Sequence, residues 1–414
     1  QAALEHARPW GAPLPLTRLL EDAIAHARGG VPVTRSQVDL THGKWQELAH
    51  IPGFADTFAA AGLPTVGQLQ YQPRLAATLA QLAAAGLDDF YRGDVARSLA
   101  HDLAVAGSPL RLTDLAAYRA AVVDALSVQL SVGQVFNHPP PTQGVSSLQI
   151  LGIFDRLGVD RADSFAHVHG LVEATKRAFI WRNAHVGDPA TMRAVPAQWL
   201  TPEALQAEAA CIDPARAAPW PHVAKPGDTV WLGAADASGR VVSYIQSVYW
   251  EFGSGLVLPQ SGVQWQNRGA SFTLEAGPNM LAPGRLPFHT LNPALARLRD
   301  GRVIAYGTMG GEGQPQTQAA VFSRHALFGQ DIQAAVSAPR WLLGRTWGAT
   351  STNLKLEARF DGVLVDALRR AGHDVECVAD YDDMMGHAGA VSVHPGGLIE
   401  GATDPRADGA CAAC

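Results

Sequence analysis

The chain has 414 residues, 47% hydrophobic and 17% charged, with 38 acidic against 32 basic side chains and a net charge of −6. It carries no Lys/Arg block and no run of about 20 uninterrupted apolar residues, so neither nucleic-acid binding nor a membrane span is expected. Four Cys make no disulfide framework, and 41 Gly and 27 Pro scattered without period exclude a collagen-like or low-complexity chain.

The chain opens Gln1-Ala2-Ala3, with no Met and no basic segment leading into an apolar one. No signal peptide is visible, a cytoplasmic location is expected, and the start reads as a trimmed or incomplete N-terminus. Residues 1 to about 220 are rich in Ala and Leu at helical spacing. Leu19, Leu20, Ala23, Ile24 and Ala27 share one face of a helix that Gly29-Gly30 ends. Thr113 is the expected N-cap of a helix over Asp114 to Ala121, and Ala166 to Arg182 reads as a long amphipathic helix. Within it His167 and His169 point to different faces, a poor metal pair, and are expected to be solvated or partly buried. Thr201-Pro202-Glu203 is a cap, N1 proline and early acid of a further helix, and Pro214 to Gly227 reads as a boundary loop.

After Gly227 the period changes from 3.6 to 2. Thr229 to Asp236, the turn Ala237-Ser238-Gly239, and Val241 to Tyr249 read as a β-hairpin. Strands are expected at Gly255 to Pro259, Val263 to Gln266 and Val303 to Thr308. A helix over Asp361 to Ala371 stops at Gly372, before a strand from Asp374 to Val378. The whole reads as helices packed on antiparallel sheets, an α+β protein.

Several chemistries are excluded by inspection. There is no GxxxxGK[ST] phosphate loop, HExxH, GxSxG elbow or EF-hand loop. His387 and His394 lie near Asp380, Asp382 and Asp383 in sequence but lack a known ligand spacing. Cys411-Ala412-Ala413-Cys414 matches a CxxC pair only formally, because no strand-to-helix context surrounds it, and reads as a tail. The glycines at 307, 310, 311 and 313 admit two readings: a tight turn needing positive φ, or backbone amides approaching an oxyanion. A Thr opening a strand, as Thr229 does, is ordinarily only a β-branched strand former.

The surrounding pattern changes that reading. Asp228-Thr229, Asp236-Ala237-Ser238-Gly239, Val242-Ser243, Phe252-Gly253-Ser254-Gly255, Gly262, Pro283-Gly284-Arg285, Asn292-Pro293, Gly307-Thr308-Met309-Gly310-Gly311, Ala338-Pro339-Arg340 and Asp404-Pro405-Arg406 resemble the small subunit of the γ-glutamyltransferase family. Upstream, Phe90-Tyr91-Arg92-Gly93, Asp114-Leu115-Ala116-Ala117-Tyr118, Pro139-Pro140-Pro141, Glu173-Ala174-Thr175-Lys176 and Gly187-Asp188-Pro189 resemble its large subunit. The resemblance implies a four-layer αββα sandwich of the N-terminal-nucleophile hydrolase type. It also implies a precursor that cuts itself between Asp228 and Thr229, into a large chain of residues 1–228 and a small chain of residues 229–414. These would remain together as a heterodimer, with further dimerisation left open.

Cleavage would give Thr229 a free α-amine, whose pKa near 8 suits it as the base that activates the hydroxyl. The resemblance further implies that Ser247 orients the nucleophile, that Gly310 and Gly311 form the oxyanion hole, and that no metal or organic cofactor is required. Departures bear on the substrate. Val230 and Trp231 stand where true γ-glutamyl transferases have Thr and His, and Tyr249 replaces a substrate-binding Asn. Ser271 stands in place of their carboxylate for the substrate ammonium, and His289-Thr290 in place of paired serines. An ammonium bound there would lack its counter-charge. Arg268 could instead clamp a carboxylate bidentately, and Arg345 is a second candidate.

Runs such as Asn267-Arg268-Gly269-Ala270-Ser271-Phe272, Phe288-His289-Thr290-Leu291-Asn292-Pro293, Gly310-Gly311-Glu312-Gly313-Gln314-Pro315-Gln316 and Arg340-Trp341-Leu342-Leu343-Gly344-Arg345 look like the oxamate amidohydrolase branch. Related glutaryl (cephalosporin) acylases share some of them. The branch implies hydrolysis of oxamate to oxalate and ammonia, in purine-nitrogen salvage. An N-terminal Arg-Glu motif that the family uses for the substrate carboxylate is absent from this sequence. The expected function is therefore a self-processing Thr amidohydrolase on a small carboxylate-bearing amide. A γ-glutamyl or glutaryl transferase/acylase and an uncut binding protein are the alternatives.

Overall fold

The computed structural model describes Pro9 and residues 14–220, 228–344 and 352–413. The Gln1 start, residues 221–227 of the expected boundary loop, Arg345 and Cys414 lie outside these residues. Contacts divide the chain into two units, Gln1–Val123 with Phe252–Asn267, and Asp124–Glu251 with Arg268–Cys414. The Asp228–Thr229 junction falls inside the second.

In the first unit, helices Leu16–Gly29, Pro73–Ala85 and Asp94–Val105 contribute to a small core. Leu82, Val95, Leu99 and Leu103 pack there with Leu256 and Leu258. The first helix stops at Gly30 (φ +91°), as glycine spacing predicts. Of its expected apolar face only Ala27 is buried. Leu20 and Ile24 are half-buried, and Leu19 and Ala23 are exposed, because the helix rests on Pro73–Ala85 along a narrower stripe.

Two expectations fail in this unit. The helix expected after Thr113 runs over Leu112–Ala117 instead, and the Asp114 carboxylate, not Thr113, accepts the Arg111 N–H at 2.7 Å. The strands expected at Gly255–Pro259 and Val263–Gln266 reduce to one bridge, Val257 to Gln264. Gly255 and Gly262 at φ +72° and +70° turn the chain too soon for a ladder, and Val257 and Leu258 are both buried rather than alternating.

The second unit begins with β1 (Leu126–Leu130), β2 (Gly133–Asn137), α1 (Gly144–Phe154), α2 (Phe165–His185) and α3 (Pro202–Ala210). The hairpin β3 (Asp228–Ala235) and β4 (Val241–Tyr249) follows, then β5 (Ala294–Leu298), β6 (Val303–Thr308) and α4 (Gln314–Phe322). The chain closes with α5 (Ile332–Ser337), β7 (Trp341–Leu343), β8 (Leu354–Glu357), α6 (Gly362–Arg370), β9 (Val375–Val378), β10 (Ala388–Val393) and β11 (Ile399–Thr403). A six-stranded antiparallel sheet has the order β11-β10-β6-β5-β2-β1, and β9-β8-β7 form a smaller one.

The expected Thr201 cap holds, its Oγ accepting the Ala204 N–H, and Asp361, expected inside the helix, is the N-cap of α6. α2 departs from its expected amphipathic character. Its buried positions include His167, His169, Glu173, Lys176 and Arg182, so the helix is enclosed rather than surface-lying and the histidines are not solvated.

The two faces of β6 and β10 explain how the layers stack. Ile304, Tyr306, Ala388 and Ala390 face the core, where Tyr306 lies 5.4 Å from the Phe322 ring of α4. The other face presents Gly307 opposite Gly389. A Cβ on Gly307 would fall 2.1 Å from the Trp231 ring, and one on Gly389 2.6 Å from it. Trp231 of β3 thus spans a floor of two glycines, and its indole N–H donates to Ser243 Oγ at 2.9 Å. Gly307, grouped in sequence with the possible oxyanion glycines, makes room for an indole instead. The hairpin forms a second β layer, with α1 and α4 packed on the six-stranded sheet.

A buried ion cluster ties distant blocks together. Arg340 contacts Asp404, and Arg406 reaches Glu357 at 2.6 Å and Asp404 at 3.0 Å. Burial pushes the Asp404 carboxyl up, but Arg340 and Arg406 outweigh it and hold it below its ordinary value. Its stabilising effect is present above the unfolded pKa near 4 and is lost as pH falls through the depressed folded value. Asp404→Asn is expected to cost about 3–5 kcal/mol at pH 7 and less at pH 3, by urea unfolding. An equal cost at both pH values would contradict the ion-pair assignment. Gly307→Ala is expected to cost about 1–3 kcal/mol, and clearly less in a Trp231→Ala background, read from thermal unfolding of the four variants.

Candidate active site

Thr229 is positioned by a break in its own ladder. Asp228 pairs with Tyr249 and Val230 with Gln246, so one residue of β3 faces two of β4, Ser247 and Val248. Tyr249 takes φ +86°, a strained value for a bulky side chain, and its N–H donates to Ser247 Oγ at 2.8 Å. The bulge therefore carries both Ser247 and Tyr249, which sequence places at the site.

The second part comes from β6 and α4. After Thr308 the chain turns through Gly310 (φ +115°) and Gly311 (φ +52°), conformations that glycine adopts without strain. It closes with the Gly313 N–H donating to Gly310 O at 2.7 Å and enters α4 at Gln314. The tight turn is thus real, and it leads to the positive end of a helix. There Gln314 Nε2 donates to Thr229 Oγ1 at 3.3 Å.

A buried polar ring holds this turn. Gln143 Nε2 donates to Gly311 O at 2.7 Å and Thr290 O at 2.8 Å. Its Oε1 accepts from Arg182 at 2.9 Å, and Arg182 reaches the Glu312 carboxylate at 2.6 Å. Gln143, Arg182 and Glu312 are all buried.

The third part is cationic. The Arg268 guanidinium stacks 3.8 Å over the Tyr249 ring and donates to Thr290 Oγ1 at 3.4 and 3.5 Å. Burial lowers its pKa to about 10, so it stays protonated at neutral pH. Burial, with Arg268 and His138 adding, lowers His289 to about 3, so this imidazole is neutral and its Nδ1 accepts the Leu291 N–H. Ser271 Oγ donates to Phe288 O at 2.9 Å, in a loop that Asn279 also braces through Ser271 O and the Phe288 N–H. Arg345, the other expected carboxylate ligand, lies outside the described residues.

Sequence reasoning missed Gln314, Gln143, Arg182 and Glu312. A Pro in the first turn marks α4, which could have placed Gln314 at a helix start. Gln143 and Arg182 carry no spacing signal.

Among the described residues, the one group of three or more clustered metal-type side chains is His169, Glu173 and His373, within 4.8 Å of one another. His169 Nε2–H donates to Asp213 O, so its Nδ1 accepts from His373 Nε2 at 2.9 Å. Glu173 takes the buried Lys176 ammonium at 2.7 Å and the Ala218 N–H. The donors are engaged with one another, and an ammonium stands where a cation would bind. His387 and His394 do not join such a group, and His394 Nε2 lies 2.8 Å from the Glu400 carboxylate. Cys411 is exposed. Among the described residues no helix is long and apolar enough to cross a membrane.

This stack of two facing β layers, with a hydroxyl at a strand start beside a glycine turn, is the arrangement that the sequence motifs imply. The gamma-glutamyltranspeptidase family profile matches residues 2–414, and the chain belongs to that family of amide-bond hydrolases, with the α+β fold of N-terminal-nucleophile hydrolases. It is 55% identical over 404 residues to the oxamate amidohydrolase proenzyme of Klebsiella pneumoniae subsp. pneumoniae, covering 97% of this chain and 76% of that protein. It is 37% identical over 401 residues to the glutathione hydrolase-like YwrD proenzyme of Bacillus subtilis, covering 96% and 76%. The crystal structure of cephalosporin acylase from Bacillus halodurans matches with a TM-score of 0.85 at 32% identity, over 96% of this chain and 74% of that one.

Gln143→Leu removes the donor shared by Gly311 and Thr290 and the acceptor of Arg182. It is expected to cost about 1–3 kcal/mol in urea unfolding, and a cost under about 0.5 kcal/mol would mean that the ring does not hold the turn.

Proposed function

We propose that the chain is a self-processing threonine amidohydrolase. A cut between Asp228 and Thr229 leaves chains of 228 and 186 residues that stay together, and Thr229 becomes the nucleophile. The observation that carries this reading is the Thr229 hydroxyl at the N-terminus of α4, on a strained bulge whose Tyr249 supports the buried Arg268.

In this mechanism the Thr229 Oγ–H proton passes to the new α-amine as Oγ bonds to the substrate carbonyl. The amides of Gly310 and Gly311, with the helix terminus behind them, stabilise the resulting oxyanion. The C–N bond then breaks as the amine returns its proton to the leaving nitrogen. Water repeats the sequence on the acyl-enzyme. Ser247, which fixes the bulge, sets the direction of the hydroxyl.

Arg268 clamps the substrate carboxylate. Tyr249 backs it, Thr290 aims it, and the neutral His289 adds no second charge beside it. Ser271, tied to Phe288 O, shapes the wall and offers no countercharge for a substrate ammonium. These features favour a small anionic amide over a γ-glutamyl donor. Oxamate, giving oxalate and ammonia, is the substrate we infer, supported by the 55% identity to the Klebsiella protein. The acylase relationship makes glutaryl amides the competing class, which would release an amine rather than ammonia.

The test pairs intact-mass measurement of the parent and Thr229→Ala with ammonia release from oxamate. The parent is expected as two species split at Asp228/Thr229 and the variant as one. Arg268→Gln is expected to be cut normally and to raise KM about 10- to 100-fold. A parent that stays whole and releases no ammonia would overturn the reading.

A further inference from the structure

Gln314 has one end of its amide engaged and the other not. Its Nε2 donates to Thr229 Oγ1 at 3.3 Å, whereas its Oε1 is buried without a hydrogen-bond partner among the described residues. The side chain is completely buried. An orphaned buried acceptor costs about 1–3 kcal/mol and is uncommon in native proteins.

Its helical neighbours set the standard. Gln316 donates to Leu343 O and accepts the Leu343 N–H, and Gln318 donates to Asn292 O and accepts from Asn137. Of these three α4 glutamines, the one at Thr229 is the one whose acceptor is left in reserve. Turned over, the amide would set Oε1 on the Thr229 hydroxyl and leave a buried donor at its free end, so it is the Nε2–Thr229 Oγ1 bond that makes the free end an acceptor.

The distances say what that acceptor can reach. The two polar atoms of an amide are about 2.2 Å apart, and the nitrogen and Oγ1 of one threonine about 3 Å. These spacings match closely enough that one amide can span the two atoms of Thr229, given a rotation of its side chain about the Nε2–Oγ1 contact. In the continuous chain that nitrogen is a peptide N–H, and a cut at Asp228 turns it into an amine with more donors to place.

We propose that Gln314 Oε1 holds the α-amine of Thr229 once the chain is cut, so that one amide brackets the nucleophile, Nε2 on the hydroxyl and Oε1 on the amine. This rests on the reading of Thr229 as a processed nucleophile. Held there, the amine keeps its lone pair toward Oγ–H, and its bond to Oε1 strengthens as it takes up the proton. Nε2 meanwhile stabilises the partial negative charge that Oγ1 carries as its proton leaves and its bond to the carbonyl forms.

The test uses the full chain as Gln314→Met and Gln314→Glu, with intact mass and then kcat and KM for oxamate across pH. The other charged groups around the site, Glu312 paired with Arg182 and Arg268 on Tyr249, and the neutral His289, are common to all forms. Both variants are expected to be cut. Gln314→Met should lower kcat about 10- to 100-fold with little change in KM. Gln314→Glu sets a carboxylate against the amine and should move the acid limb of kcat up by about one pH unit, with activity returning on the alkaline side.

A cut Met variant with parental kcat, or a cut Glu variant with a parental pH profile, overturns the proposal. So does a cut parent whose two variants both stay whole, because the role begins only after cleavage. If the Met variant does not fold, the near-isosteric Glu variant decides. An uncut parent instead overturns the underlying reading of Thr229.

Discussion

Trp231 can lie across Gly307 and Gly389 only because neither carries a side chain, and the place of Thr229 follows from that contact. The indole seats β3 against the sheet two residues after Thr229, which fixes the height of the strand above β6. β6 in turn runs into the glycine turn and α4, so hydroxyl and helix start are delivered by neighbouring layers rather than by flexible loops. Rigid elements supply such placement better than loops do. The bulge opposite Thr229 then lifts Tyr249 out of the regular ladder, and the tyrosine becomes the platform for Arg268.

Charge at the site is managed by depth. Arg182 is neutralised by Glu312 and spends its remaining donors on Gln143 and Asn183, so it acts as scaffold. Arg268 lies against the Tyr249 ring and the Thr290 hydroxyl. The neutral state of His289 belongs to the same arrangement, since a second cation beside Arg268 would be costly at that burial. The ion cluster of Arg340, Asp404, Arg406 and Glu357 does a different job, pinning the blocks around positions 340 and 404 into one core.

What the sequence made legible was local or carried by motif. The hairpin, the Val303–Thr308 strand, the Thr201 cap and the stop at Gly30 depend on neighbours within a few residues, and all stand where spacing puts them. The burial of α2 was not legible, because enclosure by α1, α4 and α6 is a tertiary fact. The strands read at 255 to 266 failed because propensity counted Leu256 and Val257 without the two glycine turns beside them. At the site, Thr229 and Gly310 were named from the resemblance, and Arg268 from a departure from it. Gln143 and Arg182 were not, since a lone polar residue in a helix gives no sign of the carbonyl or carboxylate it will meet across the fold.

The six-stranded sheet has an implication of its own. Reading its order β11-β10-β6-β5-β2-β1, the four strands on one side follow Thr229 in the chain and the two on the other precede it. A cut at Asp228 would therefore leave the β5–β2 ladder, Ala296 opposite Val135, as a seam between two polypeptides. Each piece alone would expose a raw sheet edge and half a core, the condition that invites aggregation rather than folding. The uncut chain is then the natural unit of folding, its covalent link serving as a temporary tether that keeps the two edges at high effective concentration until they have paired.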